Sequence, residues 1–215
     1  MFILTSVLNT VNLDRMSRSV GQHHGDLRRA LVAAALELVA ESDADGVTLR
    51  AVARRAGVSA AAPYHHFADK DALLAAVARD GFDALSEVQR AVLSGPGLPQ
   101  ERLEELVKQY VLFALSHRTH YGLMFRTLPT EVAGAEGKAL RDAAMSAFGR
   151  LVEAIQQANP QLSVDEAARR AILAWSLAHG AVDVASWGQA LRPGLDGEAL
   201  AADAGRAAGQ LAVGR

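Results

Sequence analysis

The chain has 215 residues, half of them hydrophobic, which suffices for one large domain or two small ones with buried cores. It contains no cysteine, which excludes disulfides and thiolate metal sites. A net charge of −2 argues against a protein that coats nucleic acid over its whole surface, but not against one that binds it at a single face.

The first 25 residues are predicted to form a flexible tail. Its apolar start, MFILTSVLNTV, is too short to cross a membrane and lacks the basic region and cleavage site of a signal peptide. Met16 is as good a candidate for the biological start as Met1. We therefore expect a cytoplasmic protein with no membrane-embedded part.

A first helix is predicted from Asp26 to about Glu41, where apolar residues recur every three or four positions. The next stretch, TLRAVARRAGVSAAAPYHHF (residues 48–67), predicts two short helices around a tight turn. Thr48 is a candidate N-cap for the first of them, and Gly57 is suited to the turn because it has no Cβ.

The second short helix is predicted to begin at a Ser59 cap and to carry very small side chains, Ala60–Ala62. Such a helix can lie close against another surface, as a helix in the DNA major groove must. Pro63 predicts that this helix is short or partly 3₁₀, because proline lacks a backbone N–H. Phe67 is expected to be buried.

Positive charge gathers around the two short helices. Residues 48–70 contain four basic residues and one acidic residue, a local charge of +3, whereas the rest of the chain carries −5. A third helix is predicted to begin at an Asp69 cap. Lys70 in its first turn opposes the helix dipole, which is reasonable if its ammonium group faces a phosphate.

Further helices are predicted along the rest of the chain by apolar periodicity and turn residues. They span residues 72–93, 101–116, 138–158, 163–186 and 198–213. Ser163 and Glu166 form an S-x-x-E capping box at the start of the fourth. The last two helices are rich in alanine, which favours close packing in a four-helix bundle between two subunits.

Two segments combine apolar and polar groups in the way a small-molecule pocket does. The candidate ligand-binding residues are His117, His120, Tyr121, Met124, Phe125, Trp175 and His179. Core packing explains the same residues equally well, and a contact between two subunits is a further alternative for Trp175 and His179. His117 and His120 have no cysteine or carboxylate at ligand spacing, so no metal site and no cofactor are predicted.

Three motifs at fixed spacing identify a family. Ala56–Ser59 reads A-G-V-S, Tyr64–Phe67 reads Y-x-H-F, and Lys70–Leu74 reads K-x-x-L-L. Together they resemble the TetR family of bacterial transcriptional repressors, and the resemblance is strong over residues 24–85. The run W-x-x-x-H-G at Trp175–Gly180 is similar to a subgroup of C-terminal domains in that family.

The resemblance implies an all-α fold of about nine helices. Residues 1–25 would be the tail, 26–75 a three-helix helix-turn-helix DNA-binding domain, and 76–215 a ligand-binding and dimerisation domain. It further implies a homodimer that binds a palindromic DNA operator and responds to a small-molecule effector, most simply as a repressor.

Residue roles carry over by motif. Contacts to the DNA backbone are expected from Thr48, Tyr64, His65, His66 and Lys70. Base reading is expected from Ser59, Ala60, Ala61 and Ala62, whose methyl groups can touch thymine methyls. Because this face offers few polar side chains, Arg50 or DNA shape is expected to contribute to base reading.

Two other functions are compatible with the sequence. In one, the protein binds DNA without any small-molecule ligand and its second domain serves only as a dimer clamp. In the other, it is a helical enzyme that uses His117, His120 or His179. The sequence shows no nucleophile–base spacing, metal signature or phosphate-binding glycine loop, so we do not expect an enzyme.

Overall fold

The computed structural model describes residues 25–126, 132–191, 194 and 196–214, so the predicted tail lies outside it except for Gly25. Regular structure in these ranges is entirely helical, which confirms the all-α class. The α-helices are α1 (Gly25–Ser42), α2 (Leu49–Arg55), α3 (Lys70–Leu93), α4 (Pro99–Ser116), α5 (Arg118–Arg126), α6 (Gly134–Ala158), α7 (Val164–Leu191) and α8 (Gly197–Val213). Two 3₁₀ helices, Ala44–Gly46 and Ala62–His65, lie between α1 and α3.

Most helix bounds agree with the sequence prediction within two residues, but two differ more. Helix α6 begins at Gly134 rather than Lys138, and α7 continues to Leu191 rather than ending near Ser186. The start of α6 was missed because its first turn contains two glycines and no apolar stripe. Glu136 in that turn instead favours a helix start through the helix dipole.

The predicted capping box at the start of α7 is confirmed. The Glu166 N–H donates to Ser163 Oγ at 3.3 Å, and the Ser163 N–H donates to Glu166 Oε2 at 3.2 Å. Hydrogen bonds from the Ser163 side chain and backbone hold the pKa of Glu166 below its ordinary value.

The chain divides into two compact units. The first comprises Met1–Ala84 with Thr119–Ala143, and the second comprises Leu85–Arg118 with Ala144–Arg215. Helices α3 and α6 are therefore each divided between the two units, α3 after Ala84 and α6 after Ala143. The domain bounds expected from the sequence, with a boundary after residue 75, remain a prediction.

The core of the first unit joins α1, α2 and the start of α3. Its fully buried side chains include Leu31, Val52, Phe67, Leu73 and Val77. Phe67 is 1% exposed, which confirms its predicted core position. It holds the segment that precedes α3 against the helices before it.

Two arginines tie distant parts of the first unit together. Arg28 on α1 places its guanidinium carbon 5.1 Å from the centre of the Phe67 ring, and its Nη2 lies 2.8 Å from both carboxylate oxygens of Glu136 on α6. Arg126 at the end of α5 donates to Asp43 at 3.1 Å and to Asp45 at 2.6 Å. The pKa of Arg126 is raised, and the largest cause is its hydrogen bond to Asp45.

In the second unit, α4 packs against α7 and α8, and α7 packs against α8. The alanine faces of both C-terminal helices are buried here: Ala167, Ala171, Ala174, Ala178, Ala201, Ala204, Ala208 and Ala212. Small side chains let these helices approach closely within one chain. These alanines are used inside the unit, and the four-helix bundle between two subunits remains a prediction.

Candidate nucleic-acid interface

The first half of the predicted helix-turn-helix forms as expected. The Ala51 N–H donates to Thr48 Oγ1 at 3.1 Å, which confirms Thr48 as the N-cap of α2. Gly57 has a φ of 70°, a left-handed conformation that a residue without Cβ adopts readily. The Val58 N–H then donates to the Ala53 carbonyl at 3.0 Å and closes the turn.

The second half is a 3₁₀ turn rather than an α-helix, and Pro63 is the reason. An α-helix that starts at Ser59 would need the N–H of residue 63 to bond to the Ser59 carbonyl, and proline has none. That carbonyl instead accepts the Ala62 N–H at 3.0 Å. The predicted 3₁₀ character is confirmed, but the predicted Ser59 cap is wrong: Ala61 occupies the N-cap position, with no side-chain hydrogen bond.

This 3₁₀ segment separates its side chains into a buried and an exposed set. Pro63 is buried, and Phe67 just beyond the segment anchors it to the core. The exposed residues include the predicted base readers Ser59, Ala60 and Ala61, together with Tyr64 and His65, while Ala62 and His66 are half-buried. Tyr64 is 56% exposed, unusual for a large aromatic side chain. The segment therefore presents small residues and one aromatic ring on a fixed base.

The positive charge of this region is smaller than its sequence suggests. Arg55 donates hydrogen bonds to Glu41 at 3.0 Å and to Glu37 at 3.1 Å on α1. The hydrogen bond to Glu41 is the largest cause that raises the pKa of Arg55, and the hydrogen bond to Glu37 adds to it. The same bond to Arg55 lowers the pKa of Glu41. Arg50 and Arg54 are exposed and make no ion pair with any described residue.

Lys70 has a partner within the protein. Its Nζ donates to the Asp45 carbonyl at 3.0 Å, in the 3₁₀ turn that follows α1. Asp69 caps α3 as predicted, since its Oδ1 accepts the Ala72 N–H at 2.8 Å. The position of Lys70 in the first turn of α3 is thus explained by a structural bond, without any need for a phosphate.

Four of the seven ligand-binding candidates lie on α5 in the first unit. His120, Tyr121 and Met124 are buried, and Phe125 is half-buried. The Phe125 ring lies 5.0 Å from the Tyr121 ring and 5.7 Å from that of Phe82 on α3, both edge-on. A Cβ on Gly81 of α3 would lie 2.8 Å from Met124 Sδ, so α3 and α5 pack closely here.

The other three candidates lie in the second unit. His117 follows α4, and its ring stacks on Phe113 with 4.4 Å between centres. The Trp175 Nε1–H donates to the Tyr110 hydroxyl at 3.1 Å, and that hydroxyl is 3.1 Å from His179 Nδ1. Because the hydroxyl accepts from Trp175, it can donate to His179.

Tyr110 joins Trp175 and His179 in this network, although the sequence marked it only as a core residue. On α4 it occupies an ordinary apolar position, and nothing in its spacing points to two polar partners on α7. The seven candidates thus form two groups, one in each unit, and their role in ligand binding remains a prediction.

The described residues show neither a cluster of metal ligands nor a membrane-spanning helix. Within them, no three histidine, aspartate or glutamate side chains come together as metal ligands would. Nor does any helix there combine the length and the apolar character that a membrane span requires.

Known proteins match the chain over both halves. A family model described as bacterial regulatory proteins, tetR family, matches residues 31–77. A second, described as tetracyclin repressor-like, C-terminal domain, matches residues 103–207. The HTH-type transcriptional regulator BetI of Rhizobium meliloti is 36% identical over 81 residues, which are 38% of this chain. The chain matches only 40% of the length of that relative.

Solved structures match over most of the fold. A protein of unknown function from Rhodococcus sp. RHA1 is 32% identical, with a TM-score of 0.72 over 89% of this chain and 98% of its own. A TetR-family transcriptional regulator from Bordetella parapertussis is 20% identical, with a TM-score of 0.61 over 88% of this chain and 95% of its own. With both family models and the helix-turn-helix in place, the chain belongs to the TetR family of transcriptional regulators.

Proposed function

We propose that this protein is a sequence-specific DNA-binding regulator that acts as a homodimer and represses transcription from the cytoplasm. The observation that carries the proposal is the exposed face of the segment Ser59–His66. Small side chains and the exposed Tyr64 stand on a backbone that buried Pro63 and Phe67 hold in place. A fixed, narrow face of this kind suits insertion into the major groove.

The contacts with DNA divide into two kinds. Thr48, Tyr64, His65 and His66 supply hydroxyl and ring N–H donors for phosphates, which position the protein without reading sequence. Ser59 and the three alanines supply a hydroxyl and methyl groups for base edges. Lys70 adds positive charge to this face, and its free N–H bonds remain able to reach a phosphate.

Two arginines on α2 have side chains long enough to reach DNA groups that the short alanine side chains cannot contact. Arg50 and Arg54 lie exposed on α2, next to the reading segment in sequence. A guanidinium can bind phosphate in a bidentate manner or enter a narrow minor groove. We therefore assign part of the sequence preference to Arg50 and to DNA shape.

The proposed dimer rests on an exposed stripe along α7. Leu173 and Leu177 are 56% and 40% exposed, and Val184 is 48% exposed. With Gly180 they recur at the spacing of one helix face, and a Cβ on Gly180 would meet nothing within 4 Å. An apolar stripe of this length marks a protein contact surface, and a second copy places the same stripe opposite.

The proposed effector acts by shifting a conformational equilibrium. A small molecule that binds one conformation more tightly favours it by that difference in affinity alone. A coupling of about 1–3 kcal/mol would weaken operator binding about 5–150-fold. The candidates on α5 in the first unit and the Tyr110–Trp175–His179 network in the second are two separate places where contacts with the effector are proposed.

Selection from random DNA tests the proposed function. The protein is mixed with random-sequence duplexes, bound molecules are amplified, and the enriched sequences are read. We expect a palindrome whose half-sites are one helical turn apart or a multiple of it. Enrichment of single half-sites would contradict the dimer, and no enrichment would contradict sequence-specific binding.

A further inference from the structure

A pair of polar contacts joins α3 and α6 inside the second unit. Ser86 and Gln89 lie one turn apart on α3, and Ala147 and Arg150 lie one turn apart on α6. Arg150 Nη1 donates to Ser86 Oγ at 3.1 Å, and Gln89 Nε2 donates to the Ala147 carbonyl at 3.2 Å. Residues three apart on a helix are neighbours on one face, with about 5–6 Å between their Cβ atoms, so the two contacts lie side by side.

Gln89 leaves a buried acceptor without a partner. The Ala147 carbonyl can only accept, so the amide nitrogen must face it and Oε1 must point away. Gln89 is 6% exposed, and its Oε1 is buried with no hydrogen bond to any described residue. A buried carbonyl without a donor destabilises a protein, which makes such atoms uncommon.

Arg150 and Ser86 leave donors at the same place. Arg150 is half-buried, and across the described part of the chain no carboxylate pairs with it. It uses one of its five N–H groups on Ser86. Because the Ser86 oxygen accepts that bond, its own hydrogen is available, and Ser86 is only 7% exposed.

These three side chains offer a cation and a hydroxyl donor one helical turn from a buried acceptor. We propose that Ser86, Gln89 and Arg150 form the polar end of the effector site and bind a small hydroxy acid. Its carboxylate would accept from Arg150 and Ser86, and its hydroxyl would donate to Gln89 Oε1. The inference deepens the proposed function, because it names the chemical class of the effector.

The apolar residues near these polar contacts indicate the chemical character of the rest of the ligand. Leu85 and Val88 directly precede Ser86 and Gln89 in the sequence of α3, Leu151 directly follows Arg150 on α6, and all three are buried in the same unit. Apolar neighbours favour a compact apolar body next to the polar end. They also strengthen a charge-assisted bond, since a low dielectric screens it less than water does.

The experiment measures the melting temperature of the full chain with lactate and mandelate as probes. At ten times its Kd, a ligand that binds the folded state raises Tm by about 4 °C for a chain of this size. We expect a rise with at least one of the two acids. Propionate and phenylacetate lack the hydroxyl, lactamide and mandelamide lack the charge, and all four should bind at least about tenfold more weakly.

Variants separate this site from binding elsewhere. Arg150→Met and Gln89→Met should each lower the affinity for the acid by about tenfold or more. Ser86→Ala is a milder change that keeps the helix intact if either of the others unfolds. Arg102→Met is the control, because Arg102 is also half-buried in the second unit but bonds to Gln157 instead.

The outcomes are distinct. The proposal is overturned if neither acid raises Tm, or if the rise is unchanged in Arg150→Met and in Ser86→Ala. A purely structural role for these contacts predicts that the variants melt lower while the wild type shows no response to the acids. Operator binding is measured on the same samples: DNA binding without an acid response refutes this site alone, and an acid response without DNA binding refutes the proposed function alone.

Discussion

At the scale of single residues, Thr48 performs one task that the structure shows and a second that the proposed function requires. Its oxygen accepts the Ala51 N–H and caps α2. Its hydroxyl hydrogen remains available, and Thr48 is exposed, so it can donate to a phosphate. The two tasks use different ends of one hydroxyl group, and substitutions can therefore separate them.

Thr48→Ala should lower the free energy of unfolding by about 1 kcal/mol, because the cap is lost. It should also weaken DNA binding. Thr48→Asp keeps a capping oxygen but brings a negative charge to the phosphates, so it should preserve stability and still abolish binding. Urea denaturation and a DNA titration measure the two effects; equal binding by Thr48→Asp and the wild type would contradict the phosphate contact.

Glu41 provides a pH-dependent test. Its pKa lies below the ordinary value of 4.5, because its carboxylate accepts hydrogen bonds from Arg55. The folded state therefore favours the ionised form more than the unfolded chain does. The contribution of this pair to stability is complete above a pH of about 4.5 and is lost as the pH falls through the lowered pKa.

Denaturant midpoints of the wild type and Glu41→Gln should accordingly differ at neutral pH and converge in acid. Glu153→Gln is the control, since among the described residues that exposed carboxylate bonds only to an uncharged amide, Gln157. A difference between wild type and Glu41→Gln that stays constant down to the most acidic pH would exclude the pair as its source.

At the scale of elements, Arg28 links three of them. It joins α1 to the Phe67 ring before α3 and to Glu136 in the first turn of α6. Arg28→Met should lower stability by about 1–2 kcal/mol, because both the cation–π contact and the ion pair are lost. Glu136→Gln removes only the ion pair and should have a smaller effect that vanishes in high salt. Thermal unfolding at two salt concentrations tests this, and equal effects of both substitutions would contradict the contact with Phe67.

The sequence predicted the helices and their caps better than it predicted which residues contact one another. Periodicity, the Thr48 and Asp69 caps and Pro63 are local signals, and each gave the correct element or its 3₁₀ character. Ser59 failed as a cap because Pro63, four residues later, removed the donor that an α-helix needs. Over such short distances two local signals can conflict, and here the rigid proline, rather than the serine, determines the backbone geometry.

Contacts between residues that are far apart in the chain could not be predicted from the sequence pattern. Arg28 and Glu136 are 108 positions apart, and without aligned relatives nothing in the sequence pairs them. Arg55 looked like part of a DNA-binding patch, but Glu37 and Glu41 on α1 neutralise it. The first helix and the tight turn of the candidate interface were therefore predicted, but the Ser59 cap and the net charge were not, and the contacts with DNA remain a prediction.

At the scale of the whole molecule, the proposed dimer depends on the exposed apolar stripe along α7. We expect the wild type to sediment at twice the 22.7 kDa of one chain, because the proposed dimer would bury the exposed side chains of Leu173 and Leu177 against a second copy. Leu173→Glu should give monomers, since a charge in the dimer interface would be desolvated. Met145→Glu is the control: Met145 is 67% exposed and lies on α6.

A monomeric wild type would refute the dimer directly. Equal dissociation by Leu173→Glu and Met145→Glu would place the interface elsewhere, or show a general effect of added charge. Operator affinity should fall together with the loss of the dimer, because each half-site then binds one reading segment alone.

The central claim is that the segment around Tyr64 reads DNA. Its most direct test is a fluorescence anisotropy titration of a selected duplex and of its scrambled counterpart, with wild type, Tyr64→Ala and the control Met145→Ala. We predict that wild type and Met145→Ala bind the selected duplex at least about a thousandfold more tightly than the scrambled one. Tyr64→Ala should lose about tenfold or more of that affinity. Equal affinity of the wild type for both duplexes, or unchanged binding by Tyr64→Ala, would contradict the claim.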